Sequence, residues 1–215
     1  MNITLVQFLL EAMFLTVVFL HISKKNTGAL IAYVIQSLAL AVILFNSFLE
    51  TGHLSLLVVV FLVLIVKAIL APLFFLRLIK KYASAFSVST YLNISLTLII
   101  IFVLTFIAHS QKLIPLTGII PVNQPLLSLA LATMFISLFL IINRKGAISQ
   151  IIGILSFENS IITFIIFAGL EQSPGFQIGI MFNILIWIII ATVFVSIIYK
   201  HFGSLDVTSM KSLTD

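Results

Sequence analysis

The sequence predicts an all-α polytopic membrane protein of about seven transmembrane helices, with the N-terminus outside and the C-terminus cytoplasmic. Three observations lead there. Hydrophobic residues make up 62% of the 215 positions and charged residues 8%, with a mean hydropathy of +1.33. No water-soluble domain covers its surface from so little polar material. The apolar runs are continuous rather than alternating over about ten residues, which excludes barrel strands. Helices remain, because each must satisfy its own backbone polar groups in lipid. Basic residues also collect on alternate connections between the runs.

Seven spans fit the roughly 20 residues a bilayer needs. The first covers about 3–22. It lacks a basic leader and a small-residue cleavage site, so it is expected to be a retained helix. The second covers about 28–49 and is followed by Glu50, Gly52 and His53. The third covers about 54–78 and ends in Arg77, Lys80 and Lys81. The fourth covers about 90–108 and leads into a connection with Lys112, Pro115, Gly118, Pro121 and Pro125. The fifth covers about 126–143 and the sixth about 148–170, with Arg144 and Lys145 between them. The seventh covers about 177–199, before Lys200, His201 and a polar tail.

Lys24, Lys25, Arg77, Lys80, Lys81, Arg144, Lys145, Lys200 and Lys211 collect on one side, and Lys112 alone on the other. This bias places the basic side in the cytoplasm. It also accounts for the net charge of +5 without nucleic-acid binding. There are no cysteines, so disulfides and iron–sulfur ligation by this chain are excluded. The short connections leave no room for an extramembrane catalytic domain, and the chain is expected to be one subunit of a larger assembly.

Three charges fall inside spans: Glu11, Lys67 and Glu158. Lys67 lies about 15 Å before Arg77 along a helix, Glu158 about 20 Å beyond Lys145 and Glu11 about 20 Å before Lys24, so all three fall near the midplane. Inserting such a charge costs about 2.5–3.5 kcal/mol on translocon scales, and intramembrane ionisable groups mark ion paths or pairs by default. Low dielectric disfavours the charged form of either group, which brings proton exchange within reach. Pro72, five residues after Lys67, removes a backbone donor and frees the Ala68 carbonyl, making a kink where water could enter. Two readings stand side by side: a mid-depth relay with Lys67 and Glu158 as stations, or a static ion pair fixing helix register. Glu11, Gln36, Asn159 and Asn183 are accessory polar candidates within spans, the amides more simply read as interhelical hydrogen bonds. Gly153, Ser156, Ser160 and Thr163 make a small-residue stripe that suits close helix packing, on a face away from Glu158. The histidines, His21, His53, His109 and His201, all lie at span ends and do not suit a haem. His53 and His109, both on the outer side, are the pair a metal site would use. No metal or cofactor is expected.

The last third resembles a known family. GILSFEN lies on the middle of three helices, and GSLDVTSM follows the last. This is similar to subunit K of respiratory complex I and to its small three-helix counterpart in multisubunit sodium/proton antiporters. Gly153 and Glu158 match a G-x-x-x-x-E element of that family, and Leu205, Asp206 and Val207 match its tail. The whole chain resembles component E of hydrogenase-four. That likeness rests on Gln36-Ser37-Leu38, Lys67 with Pro72, Gln150-Ile151 with Gly153, Glu158-Asn159, and Gly203 to Val207. It divides the chain into a four-helix N-terminal region, 1–125, and a three-helix subunit-K-like region, 126–215. Two positions depart from the pattern. Where subunit K carries a second glutamate, this chain has Trp187, with Asn183 one turn earlier, and neither titrates in range.

The resemblance implies a membrane-arm subunit without a catalytic centre of its own, in a bacterial or archaeal cell membrane. Its implied partners are antiporter-like subunits and other hydrogenase or complex I-like chains, and its implied task is proton or sodium translocation through Glu158 and Lys67. The alternative is a structural spacer whose buried charges serve assembly. A seven-span retinal protein is disfavoured, because the seventh span carries no lysine.

Overall fold

A computed structural model describes residues 3–81, 88–110 and 123–168, with isolated helical positions at Ile178, Gly179, Phe182, Ile189, Val193, Ile197 and Lys200. The helices are α1 (Ile3–Ile22), α2 (Asn26–Thr51), α3 (Leu54–Leu62), a π-helical stretch (Val63–Leu70), α4 (Ala71–Lys81), α5 (Ile94–Ala108), α6 (Gln124–Asn143) and α7 (Ala147–Phe167). Among the described residues, five helical runs are long and apolar enough to cross a membrane, and α5 is a shorter apolar helix. The all-helical expectation holds. Asn183, Trp187, Glu171 and the tail lie outside the described residues.

Each terminus has a local cause. Gly52 takes the left-handed conformation, φ +67°, that an L side chain resists; its N–H bonds the Phe48 carbonyl at 2.8 Å and ends α2. Asn123 accepts from the Leu126 N–H to start α6. Asn93 does the same for α5 through the Leu96 N–H. That cap shortens the fourth expected span. Residues 88–92 turn instead onto the α6–α7 connection, where Thr90 pairs with Arg144 and the Asn143 side chain accepts from the Leu92 N–H.

The third membrane run is one continuous helix with a change of winding. Over Val63–Leu70 it is π-helical, and the Ala71 N–H reaches back five residues to the Val66 carbonyl. Pro72 follows at once and has no N–H to continue the α pattern. The stretch that carries Lys67 is therefore π-helical, a distortion recurrent at functional sites.

Helices α6 and α7 form an antiparallel pair, α1 packs on α2 and α6, α5 packs on α6, and α2 sits between the third run and α7. One end of this bundle is tied together by polar contacts. Arg144 donates to the Leu20 and Ser23 carbonyls at the end of α1, Ser149 donates to Asn26, and the Lys145 N–H bonds the Ser89 carbonyl. Burial lowers the Arg144 guanidinium to about 10, so it stays charged near neutrality and serves carbonyls that α1 leaves open. Lys24, Lys25, Arg144 and Lys145 thus gather at one end of the molecule.

Candidate functional site

Two apolar cores sandwich one polar layer. The core toward the Arg144 end contains Leu30, Tyr33, Phe75, Ile152 and Leu155. The other contains Leu40, Val59, Val63, Val66 and Ile162. Between them lie Gln36 and Ser37 on α2, Lys67 on the π-helical stretch, and Glu158 and Asn159 on α7. Gln36, Ser37, Lys67 and Asn159 are completely buried, and Glu158 is 8% exposed.

The layer is connected. The Lys67 Nζ donates to Asn159 Oδ1 at 2.7 Å and stands 3.8 Å from Glu158 Oε2. Asn159 Nδ2 donates to Ser37 Oγ at 3.2 Å, and Ser37 donates to the Tyr33 carbonyl at 3.0 Å. A continuous polar route therefore joins Glu158, through Lys67 and Asn159, to α2. Tyr33, fully buried, lies beside Ser37 and within electrostatic range of Glu158. Gln36 is buried with neither side-chain polar atom bonded among the described residues; such a group calls for a mobile partner such as water.

The small-residue stripe of α7 faces α6. Ser160 and Ser156 meet Ser137 at 2.9 and 3.5 Å. A Cβ built on Gly153 would stand 3.2 Å from the Ile141 Cγ1. This close contact turns the opposite side of α7 toward Lys67.

Chemically, the arrangement holds a titratable cation and a titratable anion at one depth, out of water. Passing one proton from Lys67 to Glu158 discharges both, so the charged and neutral pairs are alternative states of one unit. Asn159, held in turn by Ser37, positions the ammonium, and neither of the two stores a proton.

The sequence candidates separate accordingly. Lys67, Glu158 and Asn159 converge, and Gln36 is buried next to Ser37 in the sequence of α2. Glu11 does not: it is exposed on α1 and bonded to Gln7 Nε2 at 2.9 Å. His53 and His109 are both exposed, and among the described residues no group of three His, Cys, Asp or Glu forms a metal cluster. His21, in the last turn of α1, is buried against the Ile136 carbonyl and Phe139. Sequence reasoning does not single out Tyr33 or the bonding role of Ser37; their signal is the i, i+3, i+4 spacing of Tyr33, Gln36 and Ser37 within an apolar run.

Residues 125–215 match the family model of NADH-ubiquinone/plastoquinone oxidoreductase chain 4L. The match covers less than half of the chain and includes α6, α7, Glu158 and Asn159. No curated protein and no solved structure matches this chain.

Proposed function

We propose that this protein is a membrane-arm subunit of a complex I-like oxidoreductase and takes part in proton or sodium translocation through Lys67 and Glu158. Its membrane-spanning helices and the chain 4L-like C-terminal region support the subunit assignment. The observation that carries the ion-moving role is the meeting of Lys67 and Glu158 at 3.8 Å within a buried polar layer. Ionisable groups paired inside a membrane mark ion pathways, and the π-helical winding at Lys67 loosens the backbone there. Of the stretches that resemble component E of hydrogenase-four, three bear on this layer: Gln36-Ser37, Lys67 with Pro72, and Glu158-Asn159. We assign the chain to that type, in a bacterial or archaeal cell membrane beside antiporter-like subunits. The N-terminal region, 1–125, supplies Lys67 and Ser37, and the region from 126 onward supplies Glu158 and Asn159. The chain contributes no redox centre of its own in this reading.

The second reading, a structural spacer, draws on the short Lys67–Asn159 bond, which also suits a static lock. The two separate on one experiment. In vesicles containing the intact complex, Glu158→Gln keeps the shape of the side chain but removes its titration. Translocation should fall by about a hundredfold or more, the scale on which a lost proton-transfer group acts, with assembly on native gels unchanged. Full ion movement by the variant would overturn the relay and leave the spacer.

A further inference from the structure

Helix α1 has two faces with different fates. Val6, Leu10, Met13, Val17 and Leu20 recur at alternating four- and three-residue steps, and none is more than 1% exposed. They seat the helix on α2 and α6. Phe8, Glu11, Leu15, Phe19 and Ile22 recur at similar steps on the other face, and all are exposed. Phe8 is 65% and Leu15 64% exposed.

Glu11 stands in the middle of this outer stripe. It is about 12 Å from one end of α1 and about 16 Å from the other. Ionisable side chains at such depth face a bundle interior or a water-filled cavity and pair with an opposite charge. Here the carboxylate faces outward, and Gln7 supplies one neutral donor without charge. Among the described residues the interior offers no counter-ion, because Lys67 is buried against Asn159 and Glu158.

We propose that the outer face of α1 is an intersubunit interface. Its occupant is a transmembrane helix of a different membrane protein of the assembly, one that carries a lysine or arginine at mid-depth, paired with Glu11. Charge complementarity selects this occupant: an apolar helix or lipid leaves the carboxylate unmatched. A second copy of this chain presents no exposed cation at mid-depth among the described residues. Phe8, Leu15 and Phe19 supply apolar packing around the pair. The inference goes beyond the ion path and requires none of it.

The test places the photo-cross-linker p-benzoylphenylalanine at position 8 or 15 of the full chain in its native membrane and maps the products by mass spectrometry. The expected product joins α1 to a span of another membrane protein, with a lysine or arginine within one helical turn of the cross-linked position. Glu11→Gln should weaken that product. Glu11→Lys should abolish it, and changing the partner's cation to glutamate should restore it. Cross-links confined to lipid, to a second copy, to residues 177–199 of the same chain, or to a span without a basic residue would each overturn the proposal. Contact is read here and ion movement in the Glu158→Gln assay, so either idea can fail alone.

Discussion

Lys67 donates to Asn159 Oδ1 at 2.7 Å and stands 3.8 Å from Glu158 Oε2. The ammonium is thus shared between a neutral amide that accepts its hydrogen bond and a carboxylate within ion-pair range. This division has a measurable consequence. Asn159→Leu leaves a buried ammonium without its acceptor and Ser37 without its donor. The cost should be about 1–3 kcal/mol, the penalty for stranding a buried polar group, read as a lower Tm of the detergent-solubilised complex. Combining it with Lys67→Met should cost less than the two single changes together, because contacting residues couple. Strict additivity would mean that the bond does not hold in the membrane. Arg144 shows the same economy at the end of the bundle. Its planar fork spans the Leu20 and Ser23 carbonyls, a geometry that a lysine point charge does not reproduce.

At the level of elements, two backbone features set the site. Pro72 and the π-helical stretch before it fix the angular position of Lys67 on the third run. Gly153 fixes the approach of α7 to α6, since a Cβ there would meet the Ile141 side chain at 3.2 Å and its backbone N and Cα at 3.5 Å. Gly153→Ala asks the Ile141 Cγ1, next to its branched Cβ, to yield by a few tenths of an ångström. Gly153→Val drives branched methyls at backbone that has no room to move. The valine variant should lose about 1–3 kcal/mol, the usual cost of overpacking, and the alanine variant distinctly less. Thermal unfolding of both variants measures the difference, and equal midpoints would show that α6 and α7 separate freely at this point. A wider α6–α7 spacing would also move Glu158 relative to Lys67, linking a packing residue to the polar layer it never touches.

For the whole molecule, the contacts of Arg144, Ser149 and Lys145 draw three connections to one end and gather basic residues there. Positive charge beside a span marks the cytoplasmic side. Because the chain has no native cysteine, single substitutions report sidedness cleanly. A cysteine in place of Lys25 should react with an impermeant maleimide in inside-out vesicles and not in intact cells. One in place of Thr51, at the opposite end of α2, should show the reverse. Identical labelling of both positions would contradict the single-pass placement of α2.

Much of this architecture was legible in the chain, and the exceptions have physical causes. The first expected span, 3–22, coincides with α1 because a long, largely apolar run ending at Lys24 and Lys25 has few other outcomes in lipid. The fourth, 90–108, begins late because hydropathy does not register that Asn93 caps a helix while Thr90 and Tyr91 pair with a distant connection. Depth along a helix follows from counting residues, so Lys67 and Glu158 were expected at one level. Tyr33 escaped because an aromatic residue in an apolar run carries no signature of its neighbours. Composition and periodicity by themselves determined a membrane-spanning helical protein with buried charges near mid-depth, since the bilayer constrains each segment separately. Which charges meet was decided by tertiary structure alone. The small-residue contact of α7 with α6 and the π-helical winding before Pro72 aim Glu158 and Lys67 at each other, and the inward face of α1 leaves Glu11 outside. These angular relations between helices arise from packing among distant segments, which no local pattern encodes.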